Sequence, residues 1–282
     1  MNTEMSLSEM ITYSTVKISC EYADGSKGSG TGFIINLCNN EEEQKCVPVI
    51  ITNNHVVENA KSTLFSFCRK NEDGSPNDQE VINFQLIGEH WINHPDSSVD
   101  LRCFPIGRIL NDLDKRKQPI FYIPLNTSII PNKQQISSLG ALEELVMVGY
   151  PIGLSDEYNH KPVLRKGTTA THLKNNYQGK QEFLMDMACF PGSSGSPVFI
   201  YNEGTYTTGK GGIIMGNRLY LVGILYGGPE YAADGVLRFS NLPNIPRPVI
   251  SIPTNLGIAI KAERILEFEK LFLIQSEEIN NE

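Results

Sequence analysis

At 282 residues the chain is long enough for one large β module or two small domains with a substantial core. Apolar residues make up 40% and charged residues 20%, which excludes a disordered chain. The net charge of −8 excludes an overall basic footprint, so neither nucleic acid nor an anionic membrane surface is an expected partner. No stretch approaches the roughly 18 consecutive apolar residues that a membrane span needs. The start, MNTEMSLSEMITYSTVKIS, has no basic or apolar leader region, so no export signal is read. Cys20, Cys38, Cys46, Cys68, Cys103 and Cys189 form no C-x-x-C pair, which argues against zinc and redox motifs. Cys38 and Cys46 are spaced to face each other across a hairpin, but without an export signal free thiols and a cytoplasmic location are expected.

In chain order, β-type runs come first at 15–22, 32–37, 47–52, 64–67, 81–86, 101–106 and 121–123. A second series follows at 145–148, 168–172, 183–187, 197–201, 212–215, 219–225 and 257–260. Gly, Asn, Asp and Pro separate them at fairly regular spacing, the pattern of an antiparallel sandwich or barrel and not of βαβ units. The charged piece 114–117 reads as solvated loop. Between the series, PLNTSIIPNKQQISSLG at 124–140 has two prolines and no periodicity, as a connection between two β halves would. The segment 261–278 differs: Ile265, Leu266, Phe268, Leu271 and Phe272 recur at helical spacing, which predicts an amphipathic helix packed on the second half. The predicted organisation is a 1–14 N-terminal segment, a 15–125 half, a 126–140 linker, a 141–260 half and a 261–282 helix and tail.

Serine nucleophiles need a neutral imidazole to take the hydroxyl proton, a buried carboxylate to orient it, and backbone N–H groups to bind the oxyanion. The sequence offers each. In VIITNNHVVENA at 49–60, an apolar run leads to His55 at a polar turn, which sets the imidazole at the end of a rigid strand. In PDSSVDLRCFPI at 95–106, Asp100 lies between Val99 and Leu101, where a part-buried carboxylate requires a partner. Asp96 competes, but its Pro-Asp-Ser-Ser setting reads as an ordinary turn. In CFPGSSGSPVF at 189–199, glycines flank Ser194 and permit a sharp turn that aims successive N–H groups into one concavity. The N–H groups of Gly192 and Ser194 are the candidate oxyanion hole.

These pieces together resemble the chymotrypsin-like (trypsin-fold) serine peptidases. The order His, Asp, Ser fits that family, and TNNHV at 52–56 is similar to the histidine motif of its HtrA/Deg-like branch. GSSGSP at 192–197 matches the nucleophile motif G-[DN]-S-G-[GS]-P at all but one position. GTGFII at 30–35, VGILYGG at 222–228 and GIAIKAERI at 257–265 resemble the strand before the histidine, the strand bordering the primary specificity pocket, and the strand leading into the final helix. The resemblance covers roughly 15–275. It implies an all-β fold of two antiparallel six-stranded barrels with a C-terminal helix; unlike the Deg-like enzymes, no PDZ-like segment is expected after it. It implies His55 as general base, Asp100 as its orienter and Ser194 as nucleophile, acting on a polypeptide substrate through an acyl-enzyme, without metal or cofactor. By the same resemblance Ala188 lies at the base of the pocket, and Leu225, Tyr226, Gly227 and Gly228 border it and pair with an extended peptide.

The chain departs from the motif at Ser193, where the secreted branch has an Asp that pairs with a newly cut N-terminus. Activation by such cleavage is therefore not expected, and ordering by an activating partner protein is the alternative. With Ala188 at the base, a small or medium apolar residue is expected before the scissile bond. The insertions 202–217 and 229–249 flank the expected cleft. A metal site at His90 and His94 is not expected, because Pro95 ends any helix that would align them. Two rival readings stand beside the peptidase: an effector that stays latent until a partner protein orders the oxyanion loop, and a catalytically silent protease-fold binding module.

Overall fold

The computed structural model describes residues 5–40, 45–88, 90–209, 211–234 and 249–280. After helix α1 (Leu7–Tyr13) the first half is built from β1 (Thr15–Tyr22), β2 (Lys27–Asn40), β3 (Lys45–Thr52), β4 (Ala60–Lys70), β5 (Pro76–Ile87), β6 (Ile92–Asn93), β7 (Arg102–Pro105), β8 (Ile120–Phe121) and β9 (Leu125–Asn126). Helices α2 (Asn54–Val57) and α3 (Gly107–Lys115) interrupt it. Its strands order as β5-β4-β1-β2-β3-β7-β6, with β8 added to β4 and β9 running parallel to β2. A 3-10 turn (Thr127–Ile129) and α4 (Lys133–Ser138) lead to the second half.

There, β10 (Glu144–Gly149), β11 (Val163–Thr169), β12 (Glu182–Asp186), β13 (Pro197–Asn202), β16 (Arg218–Gly227) and β19 (Leu256–Lys261) form a closed barrel in the order β10-β11-β12-β19-β16-β13. Two hairpins stand off it, β14 (Thr205–Thr207) with β15 (Ile213–Met215), and β17 (Glu230–Asp234) with β18 (Val249–Pro253). The first is the expected 202–217 insertion. Of the second, 235–248 lie outside the described residues. The all-β architecture of the chymotrypsin-like fold is thus present, as a nine-stranded sheet followed by a six-stranded barrel.

Strand alternation explains the apolar runs. On β2, Ile34 faces the core of the first half while Phe33, Ile35 and Leu37 face a cluster between the halves. On β10, Leu145 and Met147 fill the barrel while Val146 and Val148 face that same cluster. Both faces are dry, so these strands lack a polar side and read as continuous apolar segments.

Three details differ from the sequence expectation. β11 ends at Thr169 and does not run on to 172, because Ala170 and Thr171 both turn their N–H groups to Leu184 O. The 114–117 charges belong to the end of α3 and the turn after it. The C-terminal segment starts as a 3-10 turn (Ala262–Leu266) before α5 (Glu267–Asn280), and it does not pack on the second half alone. Ile265 and Phe268 enter the cluster between the halves beside Phe33, Val49 and Ile51. Cys38 N–H donates to Glu269 Oε1 at 2.8 Å, and the His94 ring meets Phe268 edge-on at 5.1 Å. His94 is a structural residue here: Nδ1 accepts from Asp96 N–H and Nε2–H donates to Arg264 O at 3.0 Å. All six cysteines are free.

The barrel carries a buried ion pair. Arg218 donates to Glu143 Oε2, with side-chain exposures of 6% and 7%, while its Nε–H donates to Asn202 and its guanidinium covers the Tyr206 ring. Glu143 Oε1 also accepts from Gly140 N–H. Glu143→Gln leaves the guanidinium buried without its anion, and a loss of about 3 kcal/mol in urea-unfolding stability is expected.

Candidate active site

Helix α2 is a single turn at the end of β3, and it fixes His55. Val56 packs so closely on β2 that a Cβ on Gly30 would overlap Val56 Cγ1. Tyr22 O–H donates to Val56 O at 3.1 Å. The Asp100 segment is tied to the same turn, since its carbonyl accepts from Asn53 Nδ2 at 2.9 Å and from Asn54 N–H at 3.3 Å. Its carboxylate is used at both oxygens. Oδ1 accepts from the His55 backbone N–H at 2.9 Å, and Oδ2 lies 2.5 Å from His55 Nδ1. That pair assigns the ring proton to Nδ1 and leaves Nε2 as the basic nitrogen. Asp96, the competing carboxylate, is engaged elsewhere. It accepts from Ser98 N–H and O–H and from Arg264, and these bonds hold its carboxyl well below the usual range.

The serine sits on a constrained loop. Ser193 N–H donates to Phe190 O at 3.0 Å, with Pro191 second and Gly192 third at φ +85°, a type II turn. Gly195 at φ +86° then passes against the first half, where a Cβ would overlap Thr31 O and come within 2.6 Å of Thr52 Oγ1. Thr52 ends β3, three residues before His55, so this contact brings the serine loop and the histidine turn together. Ser194 Oγ points at Tyr226 O, at 3.5 Å, and makes no hydrogen bond to His55 among the described residues. The N–H groups of Gly192 and Ser194 have no acceptor among the described residues, whereas those of Ser193, Gly195 and Ser196 are bonded.

Next to Ser194 is a cavity of about 230 Å³ lined by Cys189, Phe190, Leu225, Gly227, Gly228 and Leu256, among others. Ala188 is not part of its lining. Its carbonyl instead accepts from Arg165 Nη1 at 2.9 Å, and Cys189 faces the cavity where the resemblance expects Ala188. Asp186 is exposed at the end of β12, away from it. Burial pushes the Cys189 thiol up to about 11, against the opposing pull of Arg165. At pH 8 about one thiol in a thousand is then ionised. Alkylation of Cys189 is expected to be slow at pH 8 and to accelerate as pH rises through 10, read by peptide mass spectrometry after iodoacetamide treatment.

A second cavity, of about 390 Å³, is lined by Asp100 together with Glu182, Tyr226, Lys180 and Arg264, among others. Tyr226 lines this second cavity and not the one beside Ser194, and burial together with a hydrogen bond to Glu182 raises its phenol well above the ordinary value. Thr31, Arg165 and Glu182 were not singled out by the sequence. Thr31 carried one usable signal, a hydroxyl set between two glycines at the head of an apolar strand.

Among the described residues no group of His, Cys, Asp and Glu has metal-ligand geometry, and no helix is long and apolar enough to cross a membrane. A family model described as a trypsin-like peptidase domain matches residues 30–206. No curated protein matches the chain significantly in sequence. Among solved structures, the HtrA-type protease AlgW with tripeptide is similar at 14% identity and a TM-score of 0.47, covering 93% of this chain and 62% of that one. The Rv3671c protease from M. tuberculosis in its active form gives 14% and 0.48, covering 92% and 80%. A serine endoprotease from Yersinia pestis gives 14% and 0.47, covering 96% and 68%. The chain therefore spans about 62% of the length of the AlgW structure it resembles.

Proposed function

Because the chain belongs to the trypsin-like peptidase domain family, matched over residues 30–206, we propose that it is a serine endopeptidase acting through His55, Asp100 and Ser194. The observation that carries this reading is the His55–Asp100 pair. It leaves one basic imidazole nitrogen beside a loop whose Gly192 and Ser194 N–H groups have no acceptor among the described residues.

The chemistry follows from those positions. Rotation about the Ser194 Cα–Cβ bond takes Oγ from Tyr226 O toward His55. His55 Nε2 removes the hydroxyl proton as Oγ attacks the scissile carbonyl carbon, and Asp100 stabilises the imidazolium. Gly192 and Ser194 N–H donate to the oxyanion. The imidazolium then protonates the leaving amine, and a water activated by His55 hydrolyses the acyl-enzyme. The stretch Tyr226–Gly228, at the end of β16, pairs with an extended polypeptide, since the Leu225 backbone is already bonded to Gly195 and Ser196. A cavity of about 230 Å³ whose lining includes Cys189, Phe190, Leu225 and Leu256 suits a medium apolar side chain before the scissile bond. Six free thiols favour a reducing compartment such as the cytoplasm.

The test is labelling by a fluorophosphonate, wild type against Ser194→Ala. Labelling that vanishes only in the variant supports an activated nucleophile, and a well-folded wild type that does not label removes the reading. One observation favours a second reading, a latent enzyme: Ser194 Oγ rests on Tyr226 O and not on His55. That reading expects weak basal labelling that rises when an activating partner protein is added.

A further inference from the structure

Every carbonyl of the serine loop that could swing into the oxyanion position is already held. Pro191 O accepts from Ile152 N–H at 2.5 Å. Gly192 O accepts from Thr31 Oγ1 at 3.1 Å, and Ser194 O accepts from Thr31 N–H at 2.8 Å. Thr31 therefore supplies two of these donors. Its own groups are fixed in turn, because Tyr150 N–H donates to Oγ1 at 3.0 Å and Thr52 Oγ1 donates to its carbonyl at 2.7 Å. The side chain is fully buried, and the space around it is filled: a Cβ on Gly149 would come within 2.9 Å of Thr31 Oγ1. By contrast the Ser193 hydroxyl, fully buried in the same loop, has no hydrogen-bond partner among the described residues.

The Gly192–Ser193 peptide is thus pinned at both ends, its oxygen by the Thr31 hydroxyl and its N–H by Phe190 O. A peptide unit rotates as one plane. Without the Thr31 hydroxyl, Gly192, which has no Cβ to restrict it, is free to turn this plane and swing its own oxygen toward the oxyanion position. Preorganised donors owe their catalytic value to not having to reorganise during reaction.

We propose that Thr31 is a positioning residue that presets the oxyanion site, its hydroxyl clamping Gly192 O and its backbone N–H clamping Ser194 O. The inference rests on the peptidase reading above. It goes beyond it in placing control of the serine loop in the first half of the chain, on the strand that leads toward the histidine.

The experiment compares wild type with Thr31→Val, Thr31→Ala and Thr31→Ser. Each is measured for kcat and KM on a cleaved peptide and for affinity toward a peptide aldehyde, whose hemiacetal oxygen occupies the oxyanion site. Affinity for the matching peptide alcohol, which forms no oxyanion, is measured alongside. Thr31→Val and Thr31→Ala are expected to lower kcat about 10- to 100-fold with KM within threefold. Aldehyde affinity falls in parallel, alcohol affinity holds, and Thr31→Ser stays within about threefold of wild type. Unchanged aldehyde affinity in a folded Thr31→Val or Thr31→Ala protein overturns the proposal. So does a chain that folds only with Ser or Thr at 31, since the hydroxyl then serves stability. A wild type that neither labels nor cleaves removes the peptidase reading and this proposal with it, whereas a wild type that labels beside equally active variants removes the proposal alone.

Discussion

Asp100→Asn is expected to lower kcat/KM about 10⁴-fold while leaving the fold intact. The amide has the shape of the carboxylate, and its oxygen can still accept from the His55 backbone N–H, which now meets Asp100 Oδ1 at 2.9 Å. Its NH₂ group then faces His55 Nδ1, a donor where an acceptor stood. The imidazole responds by placing its proton on Nε2, the nitrogen that must be basic to activate Ser194. A 10⁴-fold loss corresponds to roughly 5.5 kcal/mol of transition-state stabilisation. Peptide kinetics with a thermal melt on the same sample checks it. A loss below about tenfold with an unchanged melt removes His55 from the role of general base.

Gly195→Ala is expected to cost more than about 3 kcal/mol in urea-unfolding stability and to abolish fluorophosphonate labelling. Two effects add. At φ +86° an L side chain is strained by about 1–2 kcal/mol. The new methyl also overlaps Thr31 O and presses on Thr52 Oγ1, and both belong to backbone or to a fully buried side chain that cannot withdraw. Relief requires the serine loop to leave the first half, which separates Ser194 from His55. Gly227→Ala is the control: nothing lies within 4 Å of its Cβ, and stability within about 0.5 kcal/mol of wild type is expected. A Gly195→Ala protein as stable and as reactive as wild type contradicts the packing of this loop.

The sequence made the strands legible because β2, β3, β10, β13 and β16 are dry on both faces and therefore unbroken in apolar residues. It made His55, Asp100 and Ser194 legible because each stands in a short polar break beside such a run. Helix α1 was missed although Ser6 and Glu9 form a capping box, since its seven residues are too few for a helical period to emerge. The partner of α5 was hidden for another reason. An apolar stripe records that a face is buried and not against what, and a 3-10 start shifts the stripe off α spacing. The place of Cys189 in the cavity lining depended on which way successive residues of an irregular segment turn, and periodicity does not reach there. The role of Thr31 was illegible for the same reason: its partners Gly192 and Ser194 lie about 160 residues away.

The seating of Ile265, Phe268 and Glu269 against β2 bears on how the molecule is born. The contact between Cys38 and Glu269 closes over 231 residues. A ribosome adding about 5–20 residues per second leaves β2 and β3 without this cover for roughly 12–46 s before those side chains have been synthesised. Through that interval the cluster around Phe33, Val49 and Ile51 stays incomplete even after Val146 and Phe199 have been added, a surface suited to holding by a chaperone and hazardous without one. Truncations that stop short of residue 265 are therefore expected to accumulate as aggregates, and the cleft can take its final form only once α5 has left the exit tunnel.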